Sequence, residues 1–577
     1  MKRRYMNYLL VLVLLLSLGL MSCGKKDEGK DNVNMEEVKK MEKEFTEFAG
    51  NLQTEVAKAY TNVCLTYWTA ANTGKPEDFD KASEAEINMD KIFSNKETFG
   101  KIKKFRDSGL ILDELKKREL EMIYLSFLGK QINPEKLEKM TKMQNEISKK
   151  FQNFRAVVDG KKFTDNEIED FLKESKDSKK LENVWKAHKA IGPLVANDIK
   201  ALVKLRNEAA KELGFNNYHE MSLKLNEQDP AEISKLFDEL DQLTKASFIA
   251  LKNEMDDVIA KQCGIKKEEL MPWHYQNRYF QEAPKIYDID LDVYYKGKDI
   301  VKLTSDYYTS IGLPIDDLVK KSDLFEREGK NQHAFCIDID RDIKDTRVLC
   351  NVKDNQSWMN TMLHEFGHAV YFKWHDKDLP WFLKTPAQIF TTEAIAMMFG
   401  RLSSNPQYMQ DMLGINDAEK KKIGETAFKI LTLEQLVFSR WSQVMYRFEK
   451  SMYENPDQDL NKLWWDLVEK YQMIKKPAGR NEPDWATKTH IASSPCYYHN
   501  YHLGELLASQ LDNYIKANIL KLNEGQISGY YKQPEVGEYL VKSVFGPGAK
   551  YQWNDMIEKA TGEKLTAKYY AKQFVKK

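Results

Sequence analysis

The sequence lacks an excess of charge of either sign, and it lacks long stretches rich in proline, glycine or serine. Among its 577 residues Lys and Arg number 88, and Asp and Glu also number 88, so the formal net charge is zero. A chain without net charge has no general electrostatic attraction to nucleic acid or anionic lipid, so nucleic acid is not an expected partner. Without interior linkers or a repeat of fixed period, the chain is expected to form one large helical body with room for two lobes.

Long apolar runs are scarce as well. The marked one, at 8–21, is too short to span a bilayer comfortably. Basic residues 2–4 precede it and a small residue followed by Cys23 ends it, so the segment resembles a bacterial lipoprotein signal with Cys23 as the lipid-bearing residue. An ordinary cleaved signal peptide is the alternative. Either way we expect a mature chain in the cell envelope, and in the first case one anchored by lipid, facing the periplasm or the cell surface. The predicted segments are the signal peptide 1–22, a flexible tether 23–35 and the folded domain 36–577.

Cysteine is also scarce, with 6 residues, and none has the spacing of a thiolate zinc site. Two of them, Cys336 and Cys350, lie in short runs of alternating apolar residues at 334–339 and 346–352. A charged turn at 340–345 separates the runs, so the pattern predicts a β-hairpin. The hairpin would place the two thiols opposite each other, which allows a cross-strand disulfide without requiring one.

Helical periodicity dominates the rest of the chain, apart from a loop-like break at 160–164. The sequence therefore predicts a mainly α fold in which the hairpin supplies the only strands. The predicted helices are 36–67, 134–154, 198–213, 357–374, 386–402, 418–453, 459–473 and one from about 495.

One of these helices carries a metal-binding pattern. Residues 364–368 read His-Glu-Phe-Gly-His, which places His364 and His368 on one face of the helix, a turn apart. Two imidazoles so placed can bind one zinc ion. Glu365 borders the metal and can act as general base for the attacking water. Two purely structural histidines are the alternative, and they would need other polar partners.

A catalytic zinc site normally needs a third protein ligand. Thr385 is a candidate N-cap, Pro386 suits the first helical position and Gln388 follows the cap by three residues, so a helix is predicted to begin at 386. Glu393 lies two turns into that helix on an apolar face, where a carboxylate needs a cation. Glu393 is therefore the predicted third ligand of one zinc ion per chain.

Beyond the zinc motif, several stretches resemble the angiotensin-converting enzyme (peptidyl-dipeptidase A) family of peptidases. The stretches are Tyr-Tyr-Thr-Ser-Ile-Gly-Leu at 307–313, His-Ala at 333–334, Lys-Asp-Leu-Pro at 377–380, Trp-Trp-Asp-Leu at 464–467, and Lys-Thr-His-Ile-Ala-Ser-Ser at 488–494 with the tyrosines after it. The resemblance implies a mainly α fold whose two lobes close around a deep cleft, with a small hairpin near the active site. It also implies a monomer that takes oligopeptides and releases C-terminal dipeptides.

The resemblance further implies roles for residues near the C-terminal end of the matched region. Tyr501 and His490 would donate hydrogen bonds to the oxyanion of the tetrahedral intermediate. Lys488 and Tyr498 would bind the free C-terminal carboxylate of the substrate, a group that a cation and a hydroxyl suit well. The alternative is that the tyrosines are core residues and that His490 and Lys488 are ordinary loop residues.

Three further residues are expected to contact substrate on the same grounds. His333 and the backbone of Ala334 would hold the substrate chain in strand-like pairing. Gln276, which follows Trp273, is a further candidate for the carboxylate, although its local match to the family needs one extra residue.

The chain also departs from the family pattern. Met397 stands where the family has an aspartate that orients a zinc histidine, so another group must orient it. Val468 and Asn500 stand where the animal enzymes bind activating chloride with arginines, which makes chloride activation doubtful. Between His490 and Tyr501 this chain has one residue more than the family.

Three other functions remain open from the sequence. An oligopeptide endopeptidase of the thimet-oligopeptidase type would share the zinc motif without depending on a free carboxylate. A non-catalytic peptide-binding lipoprotein would have no use for the base Glu365. A structural zinc protein would need a fourth ligand, and the sequence offers three.

Overall fold

A computed structural model describes residues 34–575 and shows a mainly α-helical chain with two small antiparallel sheets. The predicted signal peptide and the proposed lipid site at Cys23 lie outside the described residues. Within the described span, no helix combines the length and the apolar character needed to cross a membrane.

The helices of the first part of the chain, up to the second hairpin, are α1 (Met35–Thr73), α2 (Pro76–Phe93), α3 (Lys96–Asp107), α4 (Glu114–Leu128), α5 (Pro134–Asn153), α6 (Asp165–Glu174), α7 (Ser178–Lys189), α8 (Ile191–Glu212), α9 (Tyr218–Leu225), α10 (Pro230–Cys263), α11 (Asp292–Tyr295), α12 (Ile300–Ser310) and α13 (Asp316–Lys321). The later helices are α14 (Gln356–Lys373), α15 (Ile389–Gly400), α16 (Pro406–Leu413), α17 (Asp417–Glu454), α18 (Leu460–Leu467), α19 (His490–Ser493), α20 (His499–Tyr514), α21 (Pro534–Leu540), α22 (Trp553–Thr561) and α23 (Lys568–Phe574).

The predicted helices are present, and side-chain caps explain several of their ends. Asn355 caps α14 by accepting the N–H of Trp358, and α1 ends at Gly74, whose φ of 66° suits glycine. The prediction that α15 begins at 386 is wrong by three residues. The N-cap is Gln388, whose side chain accepts the N–H of Phe390, and not Thr385 as the sequence predicted.

The two sheets are both two-stranded hairpins. The first pairs β1 (Ala156–Val158) with β2 (Lys161–Phe163), in the region where the sequence indicated a loop. The second pairs β3 (Phe335–Asp340) with β4 (Asp345–Leu349), and it confirms the hairpin predicted from the alternating runs.

The disulfide that the hairpin pattern allowed is not formed. In the register of β3 and β4, Cys336 lies opposite Val348, so Cys350 is two residues further along instead of directly across. Both thiols are free, and burial raises the pKa of each. The prediction of directly opposed cysteines was wrong because the true register is offset by two residues.

The described residues form one large core, a smaller N-terminal core and a small third cluster of Leu379, Leu383 and Ala549. The large core takes buried side chains from the helices α5 to α23. The smaller core joins Phe45 of α1, Ile102 of α3 and Ile123 of α4 to Trp381 and Phe382. Because the last two precede α15, the N-terminal helices are tied to the segment that leads into that helix. The closing of two lobes around a deep cleft stays a prediction.

The long helix α1 also packs against the second hairpin. The ring of Phe335 in β3 lies 5.4 Å from the ring of Tyr67 and 6.2 Å from that of Trp68. The N–H of Asn331, just before β3, donates to the carbonyl of Ala71 at 2.8 Å. Helix α1 therefore fixes the position of the strand that passes α14.

Candidate metal centre and substrate cleft

Three potential metal ligands converge where α14 and α15 pack together. The close packing depends on Gly367, since a Cβ atom there would lie only 2.9 Å from Cα of Ala396. Nε2 of His364 and Nε2 of His368 each lie 3.6 Å from an oxygen of Glu393. Ligand atoms of the three side chains lie within 4.8 Å of one another, and no other such His, Cys, Asp or Glu group occurs among residues 34–575.

The two histidines are held neutral. Burial lowers the pKa of His364 to about 4 and the pKa of His368 well below its usual range. Nδ1 of His368 lies 2.8 Å from the hydroxyl of Thr392, and a proton placed there leaves the Nε2 lone pair free to face Glu393. Thr392 thus orients one of the two candidate ligand histidines, while Met397 lines the cavity beside His364.

This donor set fits a zinc ion. Two neutral imidazole nitrogens and one carboxylate are the ligand set of many catalytic zinc sites, which keep a further position open. Burial raises the pKa of Glu393 to about 7, and among the described residues only the two histidines lie within ion-pair distance of it. A buried carboxylate without an ammonium or guanidinium partner is stabilised by a metal cation.

Glu365 lies beside the ligands and is 8% exposed. Burial, with a further contribution from the charge of Glu393, raises the pKa of Glu365 to about 8, while the backbone N–H of Cys336 lowers it. The contact with Cys336 places Glu365 between the metal ligands and strand β3. A carboxylate in this position can accept a proton from an attacking water and return it to a leaving amine.

Helix α20 brings Tyr501, one of the two predicted oxyanion donors, close to Glu393. It packs closely on α15 because Gly504 has no side chain; a Cβ atom there would lie 3.3 Å from Cγ of Glu393. Tyr501 lies one turn earlier, and burial together with the nearby Glu393 raises its pKa, so its phenol stays protonated and can donate. The ring of Tyr498 lies 5.2 Å from the ring of His490 and 5.3 Å from that of Tyr501.

His490 is neutral and has free hydrogen-bonding capacity. Burial, and after it the charge of Lys488, lowers the pKa of His490 to about 4. Its Nδ1 is buried and has no partner among the described residues. The structure therefore groups His490 with Tyr498 and Tyr501, as the sequence resemblance implied.

Lys488 is a buried cation in an aromatic cage. Its Nζ lies 5.0 Å from the ring centre of Tyr279 and 5.5 Å from those of Trp441 and Tyr498. It donates to Oε1 of Gln281 at 2.6 Å, and within the described span no carboxylate pairs with it. Burial lowers the pKa of Lys488 to about 8. An ammonium group held in this way is suited to an anionic group of a ligand.

Tyr498 lies beside Lys488, with its ring centre 5.5 Å from Nζ. Its hydroxyl oxygen accepts the indole N–H of Trp441 at 2.8 Å, which leaves its own hydrogen available for a ligand. A cation and a hydroxyl with a free hydrogen therefore lie on neighbouring side chains, and their joint binding of a carboxylate stays a prediction.

The structure does not place Gln276 beside Lys488. The side-chain amide of Gln276 donates to Gln262 at 3.3 Å and accepts the backbone N–H of Lys285 at 2.9 Å, so its polar atoms are used within the fold. The glutamine that contacts Lys488 is Gln281. The sequence match was out of register, and Gln276 is corrected to Gln281 as the glutamine of this cluster.

His333 and Ala334 lie directly before β3. His333 is exposed and Ala334 is half-buried, and the N–H of His333 donates to the side chain of Asn331 at 2.9 Å. The strand they lead into carries the Cys336 amide that faces Glu365. Their positions are compatible with a strand that pairs with a bound peptide near the metal ligands.

A neutral side chain, Gln228, binds Asn500, which is one of the two positions where this chain lacks the arginines that bind chloride in the animal enzymes. Its side-chain oxygen accepts from Gln228 at 2.7 Å, and Oε1 of Gln228 lies 2.7 Å from Nε2 of His499. Val468, the other position, is buried in the large core. The expectation about chloride is left to experiment.

Comparison with known proteins gives a family match over almost the whole described chain. A family model described as angiotensin-converting enzyme matches residues 39–574. An angiotensin-converting enzyme of Theromyzon tessulatum is 23% identical over 498 residues, which are 79% of this chain and 79% of that protein.

For two further relatives, the matched region covers a smaller share of the relative's own length. An angiotensin-converting enzyme of Mesocricetus auratus is 22% identical over 273 residues, and the match covers 46% of this chain but 20% of that protein. A protein of Caenorhabditis elegans called inactive angiotensin-converting enzyme-related protein is 21% identical over 501 residues, 78% of this chain and 54% of that protein. The relatives thus include a protein described as inactive.

Proposed function

Because the chain belongs to the angiotensin-converting enzyme family of metallopeptidases, we propose that it is an active zinc enzyme that hydrolyses oligopeptides and releases C-terminal dipeptides. The observation that carries the proposal is Lys488, a buried ammonium without a carboxylate partner in the described span, next to the free hydroxyl of Tyr498. A substrate's C-terminal carboxylate is the anion that this pair would bind.

His364, His368 and Glu393 would hold the zinc ion, which when bound would polarise the scissile carbonyl and make the attacking water more acidic. Thr392 would keep His368 in the tautomer that presents Nε2. Glu365 would take the proton from the water and pass it to the leaving amine.

The remaining residues would stabilise charge and orient the peptide. Tyr501 would donate its phenolic hydrogen to the oxyanion, and neutral His490 would supply a second donor. His333 and the backbone of Ala334 would hold the extended peptide backbone in strand-like pairing. With the carboxylate bound at Lys488, the scissile bond would lie a fixed distance from the chain end, which selects dipeptide release.

We further propose that the N-terminal segment attaches the protein to a membrane. Cys23 would carry lipid and hold a monomeric enzyme at the cell envelope. Expression in a bacterium with a radiolabelled fatty acid tests this. Label on the wild-type chain and none on Cys23→Ala would support it, and equal label on both would refute it.

The proposed activity is tested with a purified soluble form that starts after Lys30, supplied with zinc. A blocked tripeptide is offered with either a free or an amidated C-terminus, and mass spectrometry follows the products. Release of an intact dipeptide from the free acid alone would support the proposal. Similar cleavage of both peptides would indicate an endopeptidase, and no cleavage despite bound zinc would favour a peptide-binding protein.

A further inference from the structure

The chain between His490 and Tyr501 is only partly helical. Helix α19 spans one turn and ends at Ser493, and α20 begins only at His499. Between them Cys496 has a φ of 55°, in the left-handed region that a non-glycine residue adopts only when its surroundings enforce it. The conformation of this segment must therefore be fixed by contacts from other elements.

The first contact comes from Arg206 on α8, which is 3% exposed. One terminal nitrogen donates to the carbonyl of Ala492 at 2.8 Å, just after His490. The guanidinium is itself fixed by the side chains of Gln144 at 2.7 Å and Tyr453 at 3.2 Å. No carboxylate forms an ion pair with Arg206 in the part of the chain that the structure describes, so the guanidinium is committed to this scaffold.

The second contact comes from Glu449 on α17, which is 2% exposed. Its Oε1 accepts the backbone N–H of Cys496 at 2.9 Å, at the residue with the unusual φ. Among the described residues no lysine or arginine pairs with this carboxylate within ion-pair distance. A buried carboxyl group costs free energy unless its oxygens are hydrogen-bonded. The contact with the N–H of Cys496 therefore stabilises Glu449 at this position and ties α17 to the segment.

We propose that Arg206 and Glu449 are positioning residues, which fix the distance between His490 and Tyr501 by binding the main chain at Ala492 and at Cys496. The inference rests on the proposed function, since it assigns these two residues to the support of the oxyanion donors. They do not touch substrate. A misplacement of about 1 Å in such donors is enough to reduce a rate by about 100-fold, so loss of either contact should reduce kcat more than it changes KM.

The test uses one position with two substitutions and a matched control. Glu449→Leu removes the acceptor, whereas Glu449→Gln keeps a carbonyl oxygen for the N–H of Cys496. Glu42→Leu is the control, because Glu42 also accepts backbone N–H groups, from Leu112 at 3.0 Å and Asp113 at 2.8 Å, in the N-terminal part of the chain. Each zinc-loaded variant is assayed with the tripeptide acid, and amide hydrogen exchange is followed in peptides that cover 490–501.

We expect Glu449→Leu to lower kcat about tenfold or more, to leave KM within about threefold, and to speed exchange in 490–501. Glu449→Gln and Glu42→Leu should keep kcat within about threefold of wild type. Arg206→Met should act like Glu449→Leu, and the double variant should lose little more than the worse single one, because both contacts fix one segment. If Glu449→Leu does not fold, kcat, KM and amide exchange of Arg206→Met are compared with those of the wild type and of Glu42→Leu instead.

Two results would overturn the inference. Faster exchange in 490–501 with an unchanged kcat would show that the contacts are structural only, and an equal loss of kcat in Glu42→Leu would show a general effect of destabilisation. If the wild-type chain binds zinc but cleaves nothing, the proposed function has failed. Unchanged exchange in Glu449→Leu would then separately refute the support of this segment.

Discussion

Replacement of Lys488 by methionine tests the carboxylate site directly. Methionine has a similar length and fits an aromatic cage, but it removes the ammonium group. A buried ion pair that loses one partner typically costs about 2–5 kcal/mol, and a loss of about 3 kcal/mol corresponds to about 100-fold in kcat/KM. We therefore expect Lys488→Met to lose about 100-fold in kcat/KM on a peptide with a free C-terminus.

The amidated form of the same peptide is the internal control. It lacks the negative charge that Lys488 would bind, so its hydrolysis, slow in the wild type, should change little in the variant. The quantity to measure is the ratio of kcat/KM for acid and amide, which should fall toward one. An unchanged ratio would refute the assignment of Lys488 to the substrate carboxylate.

The stability of Lys488→Met distinguishes the loss of a substrate contact from a loss of folding. Burial lowers the pKa of Lys488 to about 8, below the ordinary value of 10.5, so the folded state binds protons less readily than the unfolded state. The cost of the buried charge is therefore present below pH 8 and disappears as the pH rises toward 10.5. Lys488→Met should be more stable than wild type at pH 7, by at most about 3 kcal/mol, and the gain should vanish near pH 10.5. A less stable variant at pH 7 would contradict the unpaired cation.

Four further predictions follow from other contacts. Thr392→Val should weaken zinc binding about 10–100-fold in a competition with a chelator, because Nδ1 of His368 loses its partner; unchanged affinity would show that another group orients it. Gly367→Ala should lower the free energy of unfolding by about 1–3 kcal/mol, since the added methyl would meet the backbone of α15; an unchanged denaturant midpoint would contradict the close packing. Burial raises the pKa of Glu119 to about 7, so the folded state loses stability as the pH rises from about 4.5 to 7, and Glu119→Leu should stabilise the chain at pH 7 but not at pH 4.5; equal effects at both pH values would be inconsistent with a buried acid. Turnover should be the same with and without about 100 mM chloride at constant ionic strength, and activation by chloride would show an anion site that the neutral network at Asn500 does not suggest.

The convergence of His364, His368 and Glu393 could be predicted because its signals are local in sequence. Two histidines a turn apart specify one face of α14, and Glu393 is a charged residue on an otherwise apolar helix. Thr392 was missed although it precedes Glu393 directly, because the expected orienting group was a carboxylate one turn later. The hydroxyl of Thr392 reaches His368 because α14 and α15 pack closely at Gly367. The sequence alone does not show how closely two helices pack.

The errors concern features that depend on register between distant segments. Gln276 and Gln281 lie in an irregular stretch where no periodicity fixes the alignment, and only the contact with Lys488 distinguishes them. The pairing of Cys336 with Val348 likewise depends on the turn between β3 and β4, where a bulge near Asp338 shifts the register. The short hairpin β1–β2 has too few residues to show alternation.

The most direct test of the account compares the wild-type chain with Glu365→Gln, a change that leaves all three predicted zinc ligands in place. Both proteins should bind one zinc ion per chain, measured by elemental mass spectrometry after dialysis. The wild type should release an intact dipeptide from the tripeptide acid, and the variant should do so at least about 100-fold more slowly. Full turnover by zinc-bound Glu365→Gln, or no turnover by the zinc-bound wild type, would contradict the account.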